Sequence, residues 1–145
     1  MANATEIAYI AGLFDGEGCV ATYFHTGRYA QVIPKVAMTD PRPLTAIAHM
    51  FGGTVRRIKD NRKPHYKPQF EWAVYGKKAK AFFEAIRPYA IVKRDQIELA
   101  IELLNLIGSR GAPYKNLVEY PNATKREKLV TNIRAFNSRR FEEVA

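Results

Sequence analysis

Ile10-Ala11-Gly12-Leu13-Phe14-Asp15-Gly16-Glu17-Gly18 closes an apolar, helix-like run with two acids set among glycines. Ile7, Ile10, Ala11 and Phe14 recur at i, i+3, i+4 and i+7 and form one apolar stripe. Ala8, Gly12 and Gly16 recur every four residues and form a second stripe of very small side chains. A helix with both faces can pack on its own domain and, at close range, on a second helix. Gly12 costs such a helix about 1 kcal/mol of propensity, so packing or close backbone approach is its reason for being there. Buried by its apolar face, the helix delivers the Glu17 carboxylate to a fixed place at its C-terminal end. Hard divalent cations take oxygen ligands of this kind. A negative charge at a helix C-terminus opposes the macrodipole, so stability does not account for Glu17 or Asp15. The helix is expected to start at Thr5, with Glu6 near the positive end of its dipole.

Downstream, Cys19 to Thr26 and Tyr29 to Met38 read as two strands joined at Gly27-Arg28. Pro34 points to an edge or a bulge in the second. Asp40 is expected to cap a helix with Pro41 in its first turn, an apolar stripe of Leu44, Ile47, Ala48 and Phe51, and an end at Gly52-Gly53. Thr54 to Lys59 and Gln69 to Tyr75 form a second strand pair around a polar, basic loop. Helices follow at about 77–86, 92–106 and 123–136, with 108–121 as a loop. The order is therefore α-β-β-α-β-β-α plus further helices. It implies an α+β fold: an antiparallel sheet with helices gathered on one face. The other face is polar and basic, and nothing is left in the sequence to cover it. Such a face suits nucleic acid, because a β-ribbon fits the DNA major groove.

Composition agrees. The 145 residues carry a net charge of +9 and are 47% hydrophobic, which favours one folded domain with an anionic partner. Cys19 is the only cysteine, which excludes an intrachain disulfide and a Cys-based zinc site. His25, His49 and His65 lack metal-ligand spacing. The N-terminus has no basic n-region, and no run approaches the ~18 apolar residues of a membrane span. An intracellular, soluble protein with no membrane partner is expected.

With the nonapeptide and this element order, the chain resembles the LAGLIDADG homing endonucleases. Ile10 to Gly18 differs from the name-giving string by Ile for the first Leu, Phe for Ile, Gly for the second Ala and Glu for the second Asp. The last exchange keeps the carboxylate. The resemblance covers about residues 5–106 of a single domain spanning 1–145, with 107–145 as a helical tail that adds little. One motif copy implies a homodimer whose motif helices pack at a two-fold axis through Ala8, Gly12 and Gly16, with Asp15 orienting backbone there. The resemblance makes Glu17 the catalytic acid. Glu17 would bind a divalent metal, magnesium with manganese as substitute, together with the Gly16 carbonyl. Lys93, after Pro88, falls where the family has a basic partner to the metal site. Arg42 falls where it often has a second support, and Met38 stands where a polar side chain is common.

Strand alternation, phased from Glu17, then sets the residues facing double-stranded DNA: Tyr23, His25, Gln31, Lys35, Arg56, Glu71 and Gln69. Arg can pair with guanine, Gln with adenine, and Glu can accept from cytosine. Arg62, Lys63, His65 and Lys67 would touch phosphates from their loop. The expected activity is metal-dependent double-strand cleavage of a long pseudo-palindromic site. The alternatives are an RNA maturase or a non-cleaving DNA-binding protein on the same fold, and a basic RNA-binding protein without enzymatic activity.

Overall fold

A computed structural model describes residues 2–25, 29–59, 64–107 and 123–138. Nine elements follow in chain order among them: α1 Ala4–Glu17, β1 Gly18–His25, β2 Tyr29–Met38, α2 Arg42–Phe51, β3 Thr54–Arg57, β4 Phe70–Ala73, α3 Gly76–Ile86, α4 Arg94–Ile107 and α5 Ala123–Asn137. The expected α-β-β-α-β-β-α order is present. The turn at Gly27-Arg28, the Arg62-Lys63 part of the basic loop and the 108–121 loop lie outside the described residues.

Helix starts differ from expectation for local reasons. Asn3, not Thr5, caps α1. Its side chain accepts from the Glu6 N–H at 2.9 Å, while the Glu6 carboxylate accepts from the Asn3 N–H at 2.9 Å. This reciprocal box outcompetes a single hydroxyl. In α2 the cap position falls to Pro41, and Asp40 instead accepts from the Arg42 N–H at 3.0 Å. β3 and β4 are shorter than read, because their ladder runs only from Thr54↔Ala73 to Arg57↔Phe70.

The sheet is antiparallel with strand order β1-β2-β4-β3. β2 pairs with β1 over residues 29–36 but with β4 only over 35–38. Pro34 therefore sits one residue before the second ladder begins, on a locally open edge, where its missing N–H is tolerated.

The helices bury their apolar faces on one side of the sheet. Ile10 and Phe14 of α1, Leu44 and Ile47 of α2, and Phe82, Phe83 and Ile86 of α3 join Val20, Val36 and Trp72 in one core. Phe82 is the hub of an aromatic cluster, with ring centroids 5.4 Å from Phe14, 5.1 Å from Phe51 and 4.9 Å from Trp72. Truncating such a side chain costs about 3–5 kcal/mol. The Trp72 indole N–H donates to the Gly52 carbonyl at 2.9 Å, and at Gly53 (φ 91°) an added Cβ would lie 2.4 Å from the Ala73 carbonyl. Glycine there lets α2 turn tightly into β3.

α5 extends this core beyond residue 106, with Leu129, Val130 and Ile133 buried in it. Arg134 donates to the Thr22 hydroxyl at 3.0 Å and Asn137 to the Val20 carbonyl at 2.9 Å, which fixes the helix to β1. Among the described residues no helix is long and apolar enough to cross a membrane.

Candidate active site and nucleic-acid face

Burial of Ile10, Ala11 and Phe14 holds α1 against the core and fixes where its C-terminal end lies. The chain leaves α1 straight into β1, and Gly18 makes this possible: an added Cβ would lie 2.3 Å from the Phe14 ring. Glu17 is exposed at this junction, and its carboxylate enters no hydrogen bond or ion pair with another described residue. Gly16 is exposed in the last turn of α1. Its carbonyl has no partner within the helix, because the last four carbonyls of any helix run out of donors.

Lys93 is brought to the same end. The Asp15 carboxylate accepts from the backbone N–H of Ile91 at 2.8 Å and of Lys93 at 3.0 Å. The Lys93 ammonium donates to the Asp15 carbonyl at 2.5 Å. Lys93 thus sits just before α4 rather than inside it, tied to the motif helix at both backbone and side chain. The expected role of Asp15 is to orient backbone at a dimer contact. In the structure its carboxylate orients the 91–93 backbone of its own chain, a bond between residues 76 apart that no local pattern signals.

Arg42 is not joined to this pair. Its guanidinium is bound by Asp40, with Nε 3.0 Å from both carboxylate oxygens and Nη2 2.5 Å from Oδ2, and its side chain is 88% exposed. The guanidinium holds the Asp40 carboxyl down at a pKa of about 2. A carboxylate two residues away captures Arg42 before the more distant site can. Met38, standing where a polar side chain is common, is half-buried and packs on the core.

Two oxygens, the Glu17 carboxylate and the Gly16 carbonyl, are what this end of the chain offers a metal. Among the described residues no group of three or more His, Cys, Asp or Glu side chains could hold an ion. The donors therefore do not form a closed cage. They do fit magnesium, which keeps several waters and binds through one or two carboxylates completed by phosphate oxygens.

On the open face of the sheet, one residue from each strand joins a row: Tyr23 of β1, Lys35 of β2, Glu71 of β4 and Arg56 of β3. Lys35 donates to the Tyr23 hydroxyl at 2.5 Å and lies 3.9 Å from Glu71, and Arg56 donates to Glu71 at 3.0 Å. The Tyr23 hydroxyl, together with the Glu71 charge, raises the Lys35 pKa above its ordinary value despite partial burial. Glu71 is the least exposed of the charged members, at 15%. It is engaged by two cations, so accepting from cytosine would mean sharing its carboxylate with Arg56 and Lys35. Gln31 is half-buried on the same face, paired with Tyr23. Gln69 is half-buried just before β4, where its carbonyl accepts from the Ile58 N–H, and Lys67 and His65 are exposed in the preceding loop. The His25 side chain, Arg62 and Lys63 lie outside the described residues.

Comparison with known proteins gives one family: the LAGLIDADG-like domain matches residues 4–87. No curated protein matches the chain. Among solved structures, the homing endonuclease I-CvuI in complex with its target in the presence of 2 mM Ca is similar with a TM-score of 0.74 at 20% identity, covering 97% of this chain and 87% of that one. The archaeal intron-encoded homing endonuclease I-Vdi141I, complexed with DNA, follows at 0.67 and 17% identity, covering 97% and 89%. The I-SmaMI homing endonuclease bound to cleaved DNA gives 0.62 at 15% identity, covering 93% of this chain but 43% of that one. The likeness extends through α5, further than the 5–106 range that sequence alone supported.

Proposed function

The chain belongs to the LAGLIDADG-like domain family, and from that membership we propose that it is a site-specific double-strand DNA endonuclease of the homing type. The observation that carries the reading is the Glu17 carboxylate at the end of the motif helix, unengaged among the described residues, with Lys93 tied to the same end of the helix through Asp15. Glu17 and the Gly16 carbonyl would hold the metal. Magnesium, or manganese in its place, supplies activation of water and stabilisation of the leaving 3′ oxygen when bound. Lys93 places a positive charge where negative charge grows on the phosphate. Arg42 is a secondary member, free to contribute when a phosphate competes with Asp40 for its guanidinium.

Two copies act together, one per strand, with their α1 helices packed at a two-fold axis. The support is local. In the single chain, a Cβ added at Gly12 or Gly16 would meet nothing within 4 Å. Intramolecular packing therefore does not explain the stripe of Ala8, Gly12 and Gly16, whereas close approach of a second α1 does. The dimer places the row of Tyr23, Lys35, Glu71 and Arg56 in the major groove of each half-site. Gln31 and Gln69 join it there, and Lys67 contacts phosphate. The site is pseudo-palindromic and about 20 base pairs long, its half-sites roughly one helical turn apart.

The test is selection of cleaved sites from a randomised duplex library, with and without magnesium. The reading expects one long, nearly symmetric sequence, cut on both strands only when magnesium is present. Specific retention of duplex DNA without cutting would identify a binding protein instead, and preference for structured RNA would identify a splicing partner.

A further inference from the structure

A recess of about 340 Å³ opens beside the end of α1, and Gly18, Lys93, Asp95, Gln96 and Asn137 are among the residues lining it. Gln96 is the unusual member. It lies in the first turn of α4, on the same side as buried Ala100 and Leu103, and is itself only 9% exposed. Yet its side-chain amide makes no hydrogen bond with any described residue. The amide is not among the polar atoms closed off without a partner, so it opens onto the recess that Gln96 lines, where water can satisfy it. The charges of Lys93 and Asp95 offset each other, which disfavours a lone anion or cation. The volume is enough for several waters at about 30 Å³ each. One wall, Gly18, follows Glu17 directly, and another is Lys93.

We propose that Gln96 is a positioning residue of this active site: its amide anchors the water that fills the recess between Lys93 and the end of α1, and so orders the solvent from which the attacking water is drawn. This rests on the nuclease reading of Glu17. In hydrolysis the water oxygen bonds to phosphorus and one water proton passes to neighbouring recess water. The bond from phosphorus to the 3′ oxygen breaks with its electron pair on that oxygen, which takes up a proton from solvent. Gln96 exchanges no proton. Its N–H donates to water and its carbonyl accepts from it, at any working pH.

The test compares wild type with Gln96→Met and Gln96→Glu in four measurements: thermal stability, duplex affinity in calcium, single-turnover cleavage in magnesium, and the pH profile of that cleavage. Gln96→Met is expected to be at least as stable as wild type and to bind equally well. Its cleavage should fall at least about tenfold, the scale set by imprecise positioning of a reactant. The deficit should narrow as rising pH supplies hydroxide, and Gln96→Glu, which still holds water, should recover part of the rate. Wild-type cleavage by Gln96→Met would overturn the inference alone. So would a parallel loss of stability, binding and cleavage, which would mark Gln96 as merely structural. A wild-type protein that binds duplex but never cuts would instead remove the nuclease reading, and this inference with it.

Discussion

Lys93 donates its ammonium to the carbonyl of Asp15, 78 residues earlier in the chain, while the Asp15 carboxylate accepts from the Lys93 backbone N–H. The motif helix thus selects its own basic partner. Helix α1 fixes Glu17 by burial, and Asp15 fixes Lys93 by hydrogen bonds, so the two charges that the proposed cleavage uses share one mount.

Removing that mount has a measurable cost. Asp15→Ala deletes two hydrogen bonds from backbone N–H groups to a charged acceptor and should destabilise the protein by about 2–4 kcal/mol. Urea unfolding measures this directly. Cleavage should fall further than DNA affinity, because Lys93 loses its position while the sheet face is untouched. Unchanged stability would mean that the 91–93 segment is held by other contacts.

Gly12→Leu separates the two explanations of the small-residue stripe. A side chain at Gly12 meets nothing within the chain, so the isolated protomer should keep its fold, and helix propensity favours Leu over Gly by roughly 0.8 kcal/mol. The dimer should be lost through blocked approach of the second helix. Sedimentation of the variant checks this, and a dimer as tight as wild type would place the interface elsewhere.

Glu71 is expected to act on specificity through its neighbours. Glu71→Gln weakens the hold on Arg56 and Lys35 and removes one negative charge from the groove face. Non-specific affinity should rise, while discrimination at the base pair under Arg56 falls by about 1–3 kcal/mol, the scale of one bidentate base contact. Competition binding against single-base variants of the selected site measures both. Lys35 keeps its charge through neutral and moderately basic pH. Its pKa is raised in the fold, so its contribution is complete below the ordinary lysine value and is lost only as pH rises through the raised one. Lys35→Met should lower the slope of log affinity against log salt by about 1.

Much of this architecture was legible because its signals are local. The 3.6-residue stripe of Ile7, Ile10 and Phe14, the strand alternation around Trp72 and the glycines ending α2 each state their own structure. What escaped depends on contacts distant in sequence. Nothing near Asp15 announces that it will hold residue 91, and nothing near Arg42 weighs Asp40 against a site elsewhere. The α1 start was misread because Thr5 was judged alone, whereas Asn3 and Glu6 act as a pair. Gln96 did leave a trace: it is a polar residue in phase with the apolar stripe of α4, the pattern of a side chain kept for something other than packing.

Glu17→Gln tests the central claim most directly. The amide matches the carboxylate in size and cannot serve as an anionic metal ligand, and among the described residues Glu17 has no hydrogen bond whose loss would disturb the fold. The measurement is single-turnover cleavage of the selected duplex in magnesium, beside duplex affinity in calcium for the same protein. The account predicts affinity equal to wild type with cleavage abolished. Cleavage at the wild-type rate by Glu17→Gln would contradict it.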